Sequence, residues 1–224
     1  MRIGVISEGG ADRAVITNIL TGLIGIDSSD IEPLRPIDKK DATDKAFSDP
    51  LTFGGWASVK EECETRKQID EFLALEGQDY IVIHLDTAEA EQYGVKRPDK
   101  SKEDYCLELR KHIINQINTW LKGDLSEKIL YAVAIEETDA WVLTIYDKKD
   151  SIKATKPKEK LSSILGKSKI NSTSNYANYL VISKPLSKPK EIKKEKFLDY
   201  NCSLKAFFDE IQTKVPTQNH SKVD

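Results

Sequence analysis

Short, nearly continuous apolar runs alternate along this chain with stretches whose apolar residues recur every three or four positions. That alternation predicts an α/β fold. Ile3-Gly4-Val5-Ile6, Tyr80-Ile81-Val82-Ile83-His84-Leu85 and Ile129-Leu130-Tyr131-Ala132-Val133-Ala134-Ile135 are rich in β-branched residues, as are parallel strands covered on both faces. They predict strands over 2–7, 80–85 and 129–135, with a further short strand at 31–35. Val15, Ile19, Leu20 and Leu23 lie at helical spacing and predict a helix over 12–24, with Asp12 as its N-cap. A polar helix is expected over 57–75. A longer one is expected over 102–122, capped by Ser101, with Leu107, Ile113, Ile114, Ile117 and Leu121 inward and Gly123 as its stop. Another helix starts at Asp139.

The segment 25–57 is punctuated by Pro33, Pro36, Pro50, Gly54 and Gly55 and reads as mostly irregular. Beyond Asp147 the texture becomes Lys- and Ser-rich, broken at Pro157, Pro185 and Pro189. Short helices are expected there over 157–165, 173–183 and 203–213, with a frayed tail after Pro216. The expected organisation is an α/β domain over 1–150, a mostly parallel sheet flanked by helices, and a basic helical extension over 151–224 packed on it.

Composition narrows the class. At 224 residues, 39% hydrophobic and 32% charged, the chain suits one soluble α/β domain with a small appendage. No run of apolar residues is long enough for a membrane span, and the N-terminus lacks signal-peptide features, so a cytoplasmic location and no membrane partner are expected. Cys63, Cys106 and Cys202 are scattered without CxxC spacing and read as reduced thiols. The net charge of −3 hides an asymmetry: residues 147–196 hold fourteen Lys against five acids, while the remainder carries −12. Such a split fits an acidic metal-binding core beside a polyanion-facing surface, or equally a solvated Lys-rich helical layer.

Three of the strands run into acids: Glu8 after the first, Asp86 at the end of the 80–85 run, and Glu136, Glu137 and Asp139 after the 129–135 run. In open α/β sheets ligands collect beyond the carboxyl ends of the strands. Carboxylates gathered there repel one another unless a cation intervenes, and oxygen-only donors favour Mg2+ or Mn2+ over zinc or copper. Gly9-Gly10 lets the backbone approach a phosphate closely. Taken singly, each acid is also explained as a solvated loop residue or a helix cap.

These residues resemble a known family. Glu8-Gly9-Gly10-Ala11-Asp12 after a strand resembles the EGxxD-type first motif of TOPRIM domains, found in topoisomerases, primases and OLD-type nucleases. Ile83-His84-Leu85-Asp86-Thr87-Ala88 is similar to their DxD motif. Asp139-Ala140-Trp141-Val142-Leu143 is similar to the acidic-x-Trp-x-Leu segment of small stand-alone TOPRIM-like proteins of bacterial and phage-defence loci. Gly54-Gly55-Trp56, Ser183-Lys184-Pro185 and Asn201-Cys202-Ser203 are weaker echoes of that subgroup. The resemblance implies a Rossmann-like TOPRIM sheet, Glu8 in acid/base chemistry or metal binding, Asp86 as a metal ligand and Asp139 as a supporting one. It departs at Ala88, which stands where the second DxD aspartate belongs. A degenerate member, replacement of the lost oxygen by Glu89 or Glu91, and a substitution made for study all account for that departure.

The resulting expectation is an Mg2+-dependent (or Mn2+-dependent) nuclease acting on DNA or RNA, with Glu8, Asp86 and Asp139 catalytic and Glu8, Asp86, Glu89, Glu136 and Asp139 holding metal. An anti-phage role with an ATPase partner follows from the resemblance alone, since this chain lacks a Walker A sequence. Arg13, Lys184, Lys188 and Lys190 are the expected nucleic-acid contacts, although the lysines equally serve to keep a loop soluble. The alternatives are a non-catalytic TOPRIM-like binding or regulatory protein, which Ala88 favours, and a nucleotide-binding or phosphotransfer protein on a flavodoxin-like sheet. His84, in mid-strand, reads as a packed, hydrogen-bonded histidine; Trp56, Trp120 and Trp141 read as core or interface anchors. His112 and His220 lack evident partners.

Overall fold

In the computed structural model, which describes residues 1–36, 55–123, 125–152 and 154–216, the elements follow one another in largely alternating strand–helix order. They run β1 (Arg2–Ile6), α1 (Gly10–Ile24), β2 (Ile31–Arg35), α2 (Trp56–Thr65), α3 (Lys67–Leu73), β3 (Gln78–Asp86), α4 (Tyr105–Leu121), β4 (Ile129–Ala134), α5 (Asp139–Tyr146), α6 (Pro157–Lys167), α7 (Tyr176–Ile182), α8 (Pro189–Glu195) and α9 (Cys202–Lys214). Pro50 and Gly54 in the irregular segment, the tail after Pro216 and His220 lie outside the described residues.

The four strands form a parallel sheet in the order β2-β1-β3-β4, a Rossmann-like arrangement. Its strands alternate faces at a period of two, so Ile81, Ile83 and Leu85 join α2, α3 and α4 in one core, while Val82 joins α1 in the other. Pro33 sits in β2, an edge strand, where the missing N–H costs no central ladder bond. Elements from β1 to α5 and from α6 to α9 share the α1-side core: Trp141 stacks on Phe207 with ring centroids 5.7 Å apart, and Leu161, Tyr179, Leu186 and Phe208 are buried with it. Gly22 permits the closest of these approaches. A Cβ there would fall 2.7 Å from the Ser187 backbone, in the turn Lys184–Ser187.

Several local expectations change. The helix expected over 57–75 breaks at Arg66, which adopts a left-handed conformation (φ 56°). The buried Glu62 carboxylate restarts it by accepting the Gln68 and Ile69 N–H groups at 2.7 and 3.1 Å, satisfying donors that the break leaves open. Ser101 does not cap α4: its N–H donates to the Asp99 side chain at 2.9 Å in a turn, and the helix begins at Tyr105. Leu107 faces solvent and Leu109 takes the inward position. Asp12 is not an N-cap either; Gly9 holds that position and Asp12 lies in the first turn of α1. Pro189, expected as a break, opens α8 at its first turn, where the missing N–H is harmless. Cys106 and Cys202 form a disulfide pair with Cα atoms 6.6 Å apart, correcting the expectation of three reduced thiols. The starts of α4 and α9 pack side by side, a juxtaposition that 96 residues of intervening chain conceal. Among the described residues no helix is long and apolar enough to cross a membrane.

Candidate metal centre

Parallel pairing sets Ile6 beside Ile83 and Asp86 beside Ala134, so β1, β3 and β4 end at one edge of the sheet. Glu8 reaches from the end of β1 to the end of β3, where its Oε1 accepts the Asp86 N–H at 2.7 Å. Asp86 turns its own carboxylate toward β4, and Oδ1 accepts from the Thr138 N–H at 2.9 Å and from the Thr138 hydroxyl at 3.2 Å. His84, two residues earlier on the same face of β3, is fully buried. Its Nε2 lies 2.7 Å from the Thr138 hydroxyl oxygen and 3.3 Å from Asp86 Oδ1. Asp12 completes the group from the first turn of α1. One oxygen each from Asp12 and Asp86 and one ring nitrogen of His84 lie within 4.8 Å of one another, a spacing able to hold a metal ion.

The electrostatics are those of crowded, half-buried acids. Burial, reinforced by the charge on Asp86, pushes the Glu8 carboxyl up to about 8. Burial pushes Asp86 up to about 6 against the opposing pull of His84. For His84 burial acts downward, but Asp12, Asp86 and Glu8 outweigh it and carry the imidazole up to about 9. Without a metal, His84 is the base whose charge opposes the crowding of Glu8 and Asp86. A divalent cation would serve the same electrostatic purpose and release protons on binding.

The remaining expected residues go elsewhere. Glu136, left-handed at φ 64°, accepts at Oε1 from Arg97 at 2.9 Å and from Lys100 at 3.0 Å. Arg97 also donates to the carbonyls of Thr87 and Ala88, so it fastens the loop after β3 to the end of β4. Asp139 is buried and accepts a hydrogen bond from the Tyr179 hydroxyl; burial raises its carboxyl to about 6, with that bond opposing. Glu137 accepts the Lys158 N–H at 3.2 Å at the start of α6. Glu89 is exposed, its carboxylate accepting from the Gln92 side chain at 3.4 Å. Glu91 faces Arg97, also at 3.4 Å. Neither glutamate is drawn into the cluster that Asp12 and His84 complete.

Arg13 is buried, its guanidinium 4.7 Å above the Tyr176 ring and donating to the Pro36 carbonyl at 3.2 Å. The turn carrying Lys184 packs near Gly22, twelve residues along α1 from Gly10, which is about 18 Å of helix. Lys188 and Lys190 follow that turn, and Lys188 pairs with Glu191 at 2.7 Å. Those lysines therefore serve the far end of α1. Lys100, Lys102 and Lys156 instead line a cavity of about 1090 Å3 bounded by Glu136, Tyr105, Ile152 and the Cys106–Cys202 pair. Ser183 and Asn201, in two of the weaker motif echoes, have structural partners: Ser183 accepts from Asn18 at 2.7 Å and Asn201 caps α9.

Sequence reasoning missed Asp12 and His84 as donors. A first-turn aspartate is ordinary in any helix, and a mid-strand histidine is ordinary in any core. The available signal was joint: Asp12 stands four residues after Glu8, and His84 shares its strand face with Asp86. Comparison with family models, with curated proteins and with solved structures found no match for this chain.

Proposed function

We propose that this chain is a divalent-metal-dependent, TOPRIM-like nuclease that hydrolyses nucleic-acid phosphodiesters at the carboxyl edge of its sheet. The observation that carries the proposal is the convergence of Asp12, His84 and Asp86 donors within 4.8 Å, beside Glu8. Asp12, His84 and Asp86 would hold the ion, which in such sites polarises a phosphoryl oxygen and lowers the cost of forming a hydroxide nucleophile. Glu8, anchored on the Asp86 N–H beside these donors, would take a proton from the attacking water once a bound cation favours its ionised form. Thr138 orients both Asp86 and His84 through its N–H and hydroxyl. An anti-phage role with a separate ATPase completes the proposal and rests on the motif resemblance alone.

A non-catalytic binding protein is the second reading. It is favoured by Ala88 and by the engagement of Glu136 and Asp139 with Arg97 and Tyr179. Incubation of the purified protein with plasmid, linear duplex, single-stranded DNA and RNA in Mg2+ or Mn2+ separates the two. Cleavage that disappears in Glu8→Gln and in Asp86→Asn supports the nuclease. Retained nucleic-acid binding with no cleavage in either metal supports the second reading.

A further inference from the structure

The donor set at the sheet edge contains a nitrogen, and that changes which ions it suits. Mg2+ takes oxygen donors, keeps its own waters and has little affinity for imidazole, whereas Mn2+ and the later divalent ions accept nitrogen readily. His84 is held for such a role. Its ring is fully buried in β3, edge-on to Trp141 with centroids 6.4 Å apart, and Nε2 is fixed by the Thr138 hydroxyl at 2.7 Å. Nδ1 is buried and makes no hydrogen bond among the described residues. A neutral imidazole in that setting has one ring nitrogen satisfied and the other bare, an arrangement that proteins seldom leave uncompensated. One nitrogen of this ring lies within 4.8 Å of oxygens of Asp12 and Asp86, and metal-binding histidines are likewise fixed in place by a hydrogen-bonding partner.

We infer that His84 binds the ion directly and makes this a nitrogen-containing site for a first-row transition ion, for which Mn2+ is the spectroscopic probe, that discriminates against Mg2+. The inference rests on the proposed metal-dependent function, and it concerns the identity of the ion and the donor. Asp12 and Asp86 contribute oxygen and charge, which both ions accept, so discrimination falls to the imidazole. Asp139 and Glu136 do not dilute it, since Tyr179 and Arg97 with Lys100 engage them.

The test is binding of Mn2+ to the full chain, with Mg2+ as competitor, and pulsed electron paramagnetic resonance of the bound Mn2+ to detect coupling to a directly bound 14N. Mn2+ should bind on the order of ten-fold or more tighter than Mg2+, with 14N coupling present. In His84→Gln the coupling should vanish and the two affinities converge, while His112→Gln on the surface of α4 should change neither. Mn2+ bound without 14N coupling in the unaltered protein overturns the inference and leaves the metal-dependent reading intact. Absence of any Mn2+ or Mg2+ binding overturns both. The spectroscopic result comes from the unaltered chain, so it stands even if His84→Gln fails to fold.

Discussion

The ends of β3 and β4 carry the same sequence signature, an apolar strand running into acids, yet the fold treats them in opposite ways. Around the end of β3, Glu8, Asp12 and Asp86 face one another with His84 as their nearby titratable base. Beyond β4, Glu136 faces Arg97 and Lys100, Glu137 accepts the Lys158 N–H, and Asp139 accepts from Tyr179. One cluster is held together at an electrostatic cost, whereas acids of the other have protein partners. Acids left competing for charge are candidates for a ligand; acids already supplied with donors are better understood as structural links.

Activity should divide along this line most sharply. Asp86→Asn and Glu8→Gln should each lower metal-dependent cleavage by at least about 100-fold, since even outer-shell changes at metal sites cost roughly 10–100-fold. Glu136→Gln should cost less than about 10-fold by the same scale, because Glu136 holds a loop and is not drawn into the cluster. Initial rates at saturating Mn2+ measure both. Equal losses at the two strand ends would erase the distinction.

Stability should divide the other way. Tyr179→Phe leaves the buried Asp139 carboxyl without its hydroxyl donor, and Glu136→Gln weakens the tie between Arg97 and the β4 end. Each should destabilise the fold by about 1–3 kcal/mol, the usual cost of depriving a buried polar group of its partner. Asp86→Asn keeps an oxygen for the Thr138 N–H while removing one of the crowded charges, so the metal-free variant should unfold no more easily than the parent. Urea unfolding in a chelator gives all three values.

The pH dependence follows from the same crowding. Glu8, Asp86 and Asp139 have folded values raised to about 8, 6 and 6, and His84 is raised to about 9. In each case the folded state binds the proton more tightly than the unfolded chain does. Stability from these groups is therefore present at low pH and is lost as pH rises through the folded values, between about 5 and 9. The metal-free melting temperature should fall across that window. Saturating Mn2+ should offset the fall, because the ion replaces the protons. Melting curves at several pH values, with and without the ion, check both halves, and a metal-free stability that rises toward pH 9 would contradict them.

The strands were legible because their apolar runs are short, nearly continuous and β-branched, and the acids following them needed only their positions. Which acids converge was not legible. That depends on β1 lying beside β3, on Arg97 folding back to Glu136, and on Tyr179 arriving from a helix 40 residues after Asp139. The lysines show the same limit. A run rich in positive charge is easy to see, but only the packing of the Lys184–Ser187 turn near Gly22 sends Lys184, Lys188 and Lys190 away from the strand ends.

Ala88 offers the finest division between the two acidic ends, because it touches both. Its N–H donates to the Glu136 carbonyl at 2.9 Å and its carbonyl accepts from Arg97 at 3.0 Å, while its side chain is exposed. Ala88→Asp would restore the second DxD carboxylate of the resembled motif without disturbing those backbone bonds, and stability should stay within about 0.5 kcal/mol. If Asp12 and His84 already complete the donor set, the added carboxylate has no vacancy to fill, and Mn2+ affinity should change by less than about three-fold, under 1 kcal/mol. A gain of a hundred-fold or more in Mn2+ affinity or in cleavage would show that the site is unfinished at this position, and that Asp12 and His84 do not substitute for the missing oxygen. Calorimetric Mn2+ titration of the two proteins side by side decides between a complete site built from different residues and a defective copy of the familiar one.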